Sequence, residues 1–209
     1  QSAGHAEVGG DAPPRIHRAW GIARGGTDID LALSLSSYMP LFGRGITRVP
    51  AHHYVEAATV QDMTRQRDFR QHRYDHVDEP WGSRLQALQD TGNTARLYRD
   101  VERAKIALST TTGHRSTLDY IAPGLHADCS ADGLATAAHG YLEQIRELLA
   151  QVRGDIGGDP DAVFLTGGMS RAGYLRQAVA EAFPGARPVH GEPSLGVVQG
   201  LALAAAQQD

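Results

Sequence analysis

The chain has 209 residues, enough to bury a sizeable core, and its formal net charge of -4 offers no basic surplus for a phosphate backbone. No cluster of Lys and Arg interleaves with aromatics, so nucleic acid is set aside as a partner. The longest apolar runs, residues 31–35 and 201–206, are far too short to span a bilayer, which sets a membrane aside as well. One cysteine, Cys129, leaves no internal disulfide and no multi-cysteine zinc site, and cytoplasmic localisation is the expectation. The chain opens at Gln1 with no initiator Met and is read as a fragment of a longer protein.

Residues 1–14 are rich in Gly, Ala and Pro without a period, whereas residues 15–23 place Ile16, Ala19 or Trp20, and Ile22 in a short strand-like run. Gly25 and Gly26 precede Thr27, Asp28 and Asp30. The next apolar residues, Ile29, Leu31, Leu33, Leu35 and Met39, predict a helix with acidic residues in its first turn, closed by Pro40 and Gly43. From 45 to 78 the chain is polar, Arg-rich and His-rich with weak periodicity, as expected of loop and short helices on an exposed lobe. A short helix over 81–88 precedes a helical stripe of Leu97, Val101, Ala104 and Leu108, and residues 114–121 alternate like a strand.

Leu134, Ala138, Tyr141, Ile145, Leu148 and Val152 make the strongest amphipathic pattern, ended by Gly154 and the Gly157-Gly158-Asp159-Pro160 breaker. The tail then alternates: strand 162–165, helix 170–183, strand 187–189, and a helix over 194–206 opened by Glu192, Pro193 and Ser194. The class expected is α/β.

Two constellations suggest a ligand. The first runs from Phe164 through Gly167 and Gly168 to Ser170 and Arg171, an apolar strand passing through paired glycines into a helix. Glycines permit close backbone approach, and a helix start offers unpaired N–H groups. Arg171 could stack on a base, an interaction of roughly 0.5–2 kcal/mol. A purely structural turn is as good a reading of these residues alone. Neither G-x-G-x-x-G nor G-x-S-x-G is matched.

The second constellation is Glu102, Lys105 and Ser109, which fall within roughly 60° of arc on one helix. Carboxylate, ammonium and hydroxyl together suit a sugar or nucleoside, although a solvated Glu-Lys pair at i,i+3 is the commoner meaning of such spacing. Lys105 is the one lysine among 20 Lys and Arg residues, which singles it out. His52-His53 and the group His72, Asp75, His76 have spacings a metal could use, but no regular frame, so no metal site is expected. Asp128 and Asp132 around Cys129 read as loop or cap residues, and nothing points to a thiol enzyme.

Gly25-Gly26-Thr27-Asp28-Ile29-Asp30 resembles the glycine pair and acidic helix start that opens the outer subdomain of the heat-shock-protein-70 (DnaK-type) chaperones. Residues 102–109 resemble that family's adenine-facing helix, residues 164–171 its adenosine turn, and residues 193–200 the opening of its last helix. The four motifs occur in the family's order. The long polar insert, Met39-Pro40-Leu41-Phe42-Gly43 and Leu165-Thr166-Gly167-Gly168 are most similar to the YegD-type branch.

The resemblance implies the C-terminal lobe of an actin-like ATPase fold, a mixed sheet with helices plus a more helical outer subdomain. Residues 1–24 and 129–209 would form the inner α/β subdomain, and residues 25–128 the outer one. Glu102, Lys105 and Ser109 would meet ribose and adenine from one side, and Gly167, Gly168 and Arg171 would close the site from the other. Gly25, Gly26 and Ser170 complete the binding set. Met169 stands where the family usually has serine, and Ser194 where it often has aspartate.

ATP or ADP is the implied ligand, with Mg²⁺ only in the intact parent, because the phosphate-holding loops of the family have no counterpart here. Gly9-Gly10-Asp11 lacks a flanking apolar strand. Hydrolysis is therefore expected of the parent and not of this chain, and no catalytic residue is assigned. The implied partners are the N-terminal lobe of the same protein and a nucleotide-exchange factor or client protein. A different expectation is a non-hydrolysing actin-fold interaction module presenting polar residues 45–95. A sugar kinase of the same superfamily shares the Gly-Gly turn but gives no reason for the Glu102, Lys105, Ser109 face.

Overall fold

Apolar spacing and a few polar anchors together decide the elements seen in the computed structural model, which describes residues 2–7, 15–22, 25–166 and 172–190. The class is mixed α/β. The described strands form three two-stranded pairings. The chain divides into two compact units, one of residues 1–26 and 140–209 and one of residues 27–139.

In the first unit, β1 (Ser2–Glu7) and β2 (Arg15–Gly21) pair antiparallel with a register shift between His5 and Ala6. β5 (Ala162–Leu165) and β6 (Arg187–His190) pair in parallel, joined by α7 (Gly173–Ala182), because parallel neighbours need a crossover connection. α6 (Ala131–Ile156) enters this unit at residue 140 and buries Tyr141, Leu142, Ile145, Leu148, Leu149 and Val152. The pattern predicts an end over Gly154 and the Gly157-Gly158-Asp159-Pro160 breaker. The helix passes through Gly154 and stops at the breaker, at Gly157, whose φ of 77° is the left-handed conformation that closes a helix. One glycine costs a helix only about 1 kcal/mol, which the buried stripe offsets.

Polar contacts fix the last turn of α6 and the turn beyond it. The Trp20 indole N–H donates to Asp155 Oδ2 at 2.7 Å, Arg18 lies 3.4 Å from the same oxygen, and Asp159 accepts from the Gly185 N–H at 2.8 Å.

In the second unit the single helix expected before Pro40 is three successive pieces: α1 (Gly26–Leu33), a π-helical turn at Ser34–Tyr38 and a 3₁₀ turn at Met39–Phe42. Gly43, at φ 95°, ends the last of them. The segment expected to be exposed contains α2 (Ala51–Ala58) and α3 (Met63–Gln71), and Tyr54, Phe69 and Tyr74 are among the most buried side chains of the protein. Weak periodicity conceals this, since a few aromatic anchors carry the packing.

Gln66 adds a polar one. Its Nε2 donates to the Glu56 and Ala57 carbonyls at 2.7 and 3.3 Å, and its Oε1 accepts from Thr94 Oγ1 at 2.8 Å. Those are carbonyls at the C-terminal end of α2 that the helix itself leaves without partners. Asp62 caps α3 by accepting from the Thr64 and Arg65 N–H groups.

Next come α4 (Trp81–Gln89) and α5 (Asn93–Ala107), then β3 (Gly113–Thr117) paired antiparallel with β4 (His126–Ser130). The strand expected over 114–121 therefore ends at Thr117. Cys129 and Asp128 lie in a strand instead of a loop, with Ala127 and Cys129 inward and His126, Asp128 and Ser130 outward. Burial holds the Cys129 thiol above its usual range. The helix expected over 194–206 lies outside the described residues.

Gly82 in α4 is required by packing. A Cβ there would stand 2.6 Å from the Val77 carbonyl oxygen and 3.0 Å from that of Tyr74, both backbone atoms. Gly82→Ala is expected to cost about 1–3 kcal/mol through this clash, read by urea denaturation. A variant as stable as the wild type would contradict the packing described.

Candidate functional site

α5 is positioned by Leu97, Val101 and Ala104, which are buried, while Arg99 and Arg103 on the opposite side are exposed. Its remaining face carries Tyr98, Glu102 and Lys105, at spacings of four and three residues that align them on one helix side.

The decisive contact on that face is between Lys105 and Asp30 of α1. Lys105 Nζ donates to Asp30 Oδ2 at 2.9 Å and lies 2.7 Å from Oδ1. The second approach is off the hydrogen-bonding angle, so Oδ1 has a close cation but no hydrogen bond. Both groups are sequestered, the side chains being 15% and 3% exposed. Burial raises the Asp30 pKa above the usual carboxylate value, Lys105 opposes that rise, and the neighbouring Glu102 carboxylate adds to it. The Tyr98 hydroxyl is 3.5 Å from Asp30 Oδ2, a long contact, and burial followed by the charges of Asp30 and Glu102 raises its pKa.

Of the residues singled out in the sequence, Glu102 and Lys105 share the face as expected. Lys105 spends its charge on Asp30. Ser109 lies beyond the helix end and is exposed, its hydroxyl donating to the Ile106 carbonyl at 2.5 Å. Gly26 is the first residue of α1, and Gly25 precedes it with no protein atom within 4 Å of where a Cβ would stand. Gly167, Gly168, Ser170 and Arg171 lie outside the described residues.

The member missed in the sequence is Tyr98. It lines a cleft of about 610 Å³ with Thr27, Asp28 and Leu31 of α1, Thr59 at the end of α2 and Arg65 of α3. The size is that of small-molecule sites. A signal for it exists in the sequence, one turn before Glu102 on the same stripe.

No family model matches the sequence. Among the described residues no helix is long and apolar enough to cross a membrane.

Removing Lys105 would leave Asp30 as an uncompensated buried charge. Lys105→Met is expected to lose about 3 kcal/mol at neutral pH, and Asp30→Asn with Lys105→Met to recover more than half of it. Without the ammonium, the Asp30 pKa in the fold rises further above its unfolded value. The deficit is then smallest below the ordinary carboxylate range and grows as pH rises through the folded-state pKa. Denaturant melts of both variants across acid and neutral pH check this. A pH-independent loss, or a double variant as weak as the single one, would contradict the pairing.

Proposed function

We propose that the chain is the adenosine-side half of an ATP-binding, Hsp70-like chaperone ATPase domain, the C-terminal lobe of an actin-like fold. The observation that carries the reading is the Lys105–Asp30 pair. It joins two of the four family-like motifs across 75 positions of sequence, the Gly25-Gly26 helix start and the 102–109 helix, into one polar face. Motifs that resemble one family independently and also depend on each other in space support a common origin better than either does alone.

In this reading Glu102 receives the ribose hydroxyls, since an ionised carboxylate is an acceptor for two of them. Lys105 acts mainly as a positioning residue, because its ammonium is held by Asp30. By the family resemblance, Arg171, Gly167 and Gly168 would also contact the nucleoside. The parent's N-terminal lobe would hold the phosphates with Mg²⁺, which supplies charge stabilisation when bound. A nucleotide-exchange factor and client proteins would be partners of the intact protein.

A second reading, a non-hydrolysing interaction module of the same fold, draws on the internal use of Lys105 by Asp30 and of Ser109 by Ile106. Those contacts commit two members of the trio to the protein itself and leave Glu102 to carry ligand recognition on this face.

ADP titration of the intact parent by calorimetry separates the two. Glu102→Ala is expected to weaken ADP binding about 10–100-fold, as losing a hydrogen bond to a charged group does, with an unchanged melting profile. Arg171→Ala should weaken it as well. A parent whose calorimetry and stability are indifferent to adenine nucleotide would leave the interaction module standing and end the ATPase reading.

A further inference from the structure

The fold assembles a histidine cluster that spacing along the chain does not show. α2 carries His52 and His53 in its first turn, and His72 caps the C-terminus of α3, bringing it back against them. One ligand nitrogen from each of the three lies within 4.8 Å of the others, and no second group of three or more such donors occurs among the described residues. Sequence spacing groups His72 with Asp75 and His76. The helical pairing of α2 with α3 puts it with His52 and His53 instead.

We propose that His52, His53 and His72 bind a divalent transition-metal ion, with Zn²⁺ as the simplest occupant and Glu56 and Tyr74 as outer partners. Imidazole nitrogens suit Zn²⁺, Cu²⁺ or Ni²⁺, and three protein ligands leave a fourth position for water or a carboxylate. The outer contacts are of the kind that orient metal-binding histidines. Glu56 Oε2 is 2.6 Å from His72 Nε2, and the Tyr74 hydroxyl is 3.3 Å from His53 Nδ1, so one nitrogen on each ring is held and the other is left for a ligand.

Charge favours an ion here as well. The Glu56 side chain is 14% exposed, and its one ion-pair partner among the described residues is His72. A dication beside it would offset that carboxylate.

The geometry also states what binding must change. His53 and His72 are stacked, centroids 3.5 Å apart and planes 9° from parallel, with His52 edge-on to His53 at 4.5 Å. Parallel stacked rings cannot both aim a lone pair at one ion. A tetrahedral centre with Zn–N near 2.0–2.1 Å needs its nitrogens about 3.4 Å apart, so the stack must splay and the three donors draw in by roughly 1 Å or a little more.

The inference is independent of nucleotide binding. Its test is a titration of the metal-stripped chain with Co²⁺, read by visible ligand-field absorption, and with Zn²⁺, read by calorimetry. One ion per chain with tetrahedral Co²⁺ bands is expected. His52→Ala should weaken binding by at least the ~10–100-fold that losing an outer partner costs, and Glu56→Gln by about 10-fold. His76→Ala, exposed and outside the cluster, should leave affinity unchanged. His52 is exposed, so its variant keeps the test sound even where His72→Ala unfolds. Absence of saturable binding, a stoichiometry other than one, or an affinity indifferent to His52→Ala would overturn the proposal.

Discussion

The buried pair of Lys105 and Asp30 ties α5 to α1 within the second unit. An ion pair out of water offers little net stability over a well-packed apolar pair, yet it penalises every arrangement that separates its partners. Here that penalty disfavours arrangements that part Asp30 on α1 from Lys105 on α5. Tyr98 and Glu102 stand on the same side of α5 as Lys105, and Tyr98 also lines the cleft beside α1. The same constraint explains the one lysine in an arginine-rich chain: a compact ammonium on a flexible stem fits a single buried carboxylate, where a planar guanidinium would demand partners for five N–H groups.

Around that pair the polar segment between Gly45 and Asp78 is organised by sparse anchors. Tyr54, Phe69 and Tyr74 supply the apolar contacts, and Gln66 satisfies carbonyls at the end of α2 while reaching Thr94 on α5. A buried amide is tolerated only when its hydrogen bonds are made. This one makes them on both its nitrogen and its oxygen. The histidine cluster is a by-product of the same packing, because α2 and α3 must lie together before His72 can meet His53.

The long stripes are legible in the sequence. Leu134 to Val152 and Leu97 to Leu108 declare their helices because each turn repeats an apolar residue, and the short strands at 162–165 and 187–189 stand between strong breakers. β1 is not legible, since Ser2–Glu7 has no alternating apolar pattern and owes its conformation to pairing with β2. β4 hides behind Asp128, Cys129 and Asp132, because its inward members are only an alanine and a cysteine. For the candidate site, the Glu102–Lys105 face can be read from spacing alone. Asp30 as the partner of Lys105 cannot, because nothing local links positions so far apart. Tyr98 is readable in principle, being four residues before Glu102.

Amide hydrogen exchange of the intact parent, with and without ADP, is the sharpest test of the proposed adenosine-side assignment. Slowed exchange is expected in residues 98–109 and 164–173, the two segments assigned to the nucleoside. Unchanged exchange in both segments at saturating ADP would contradict it.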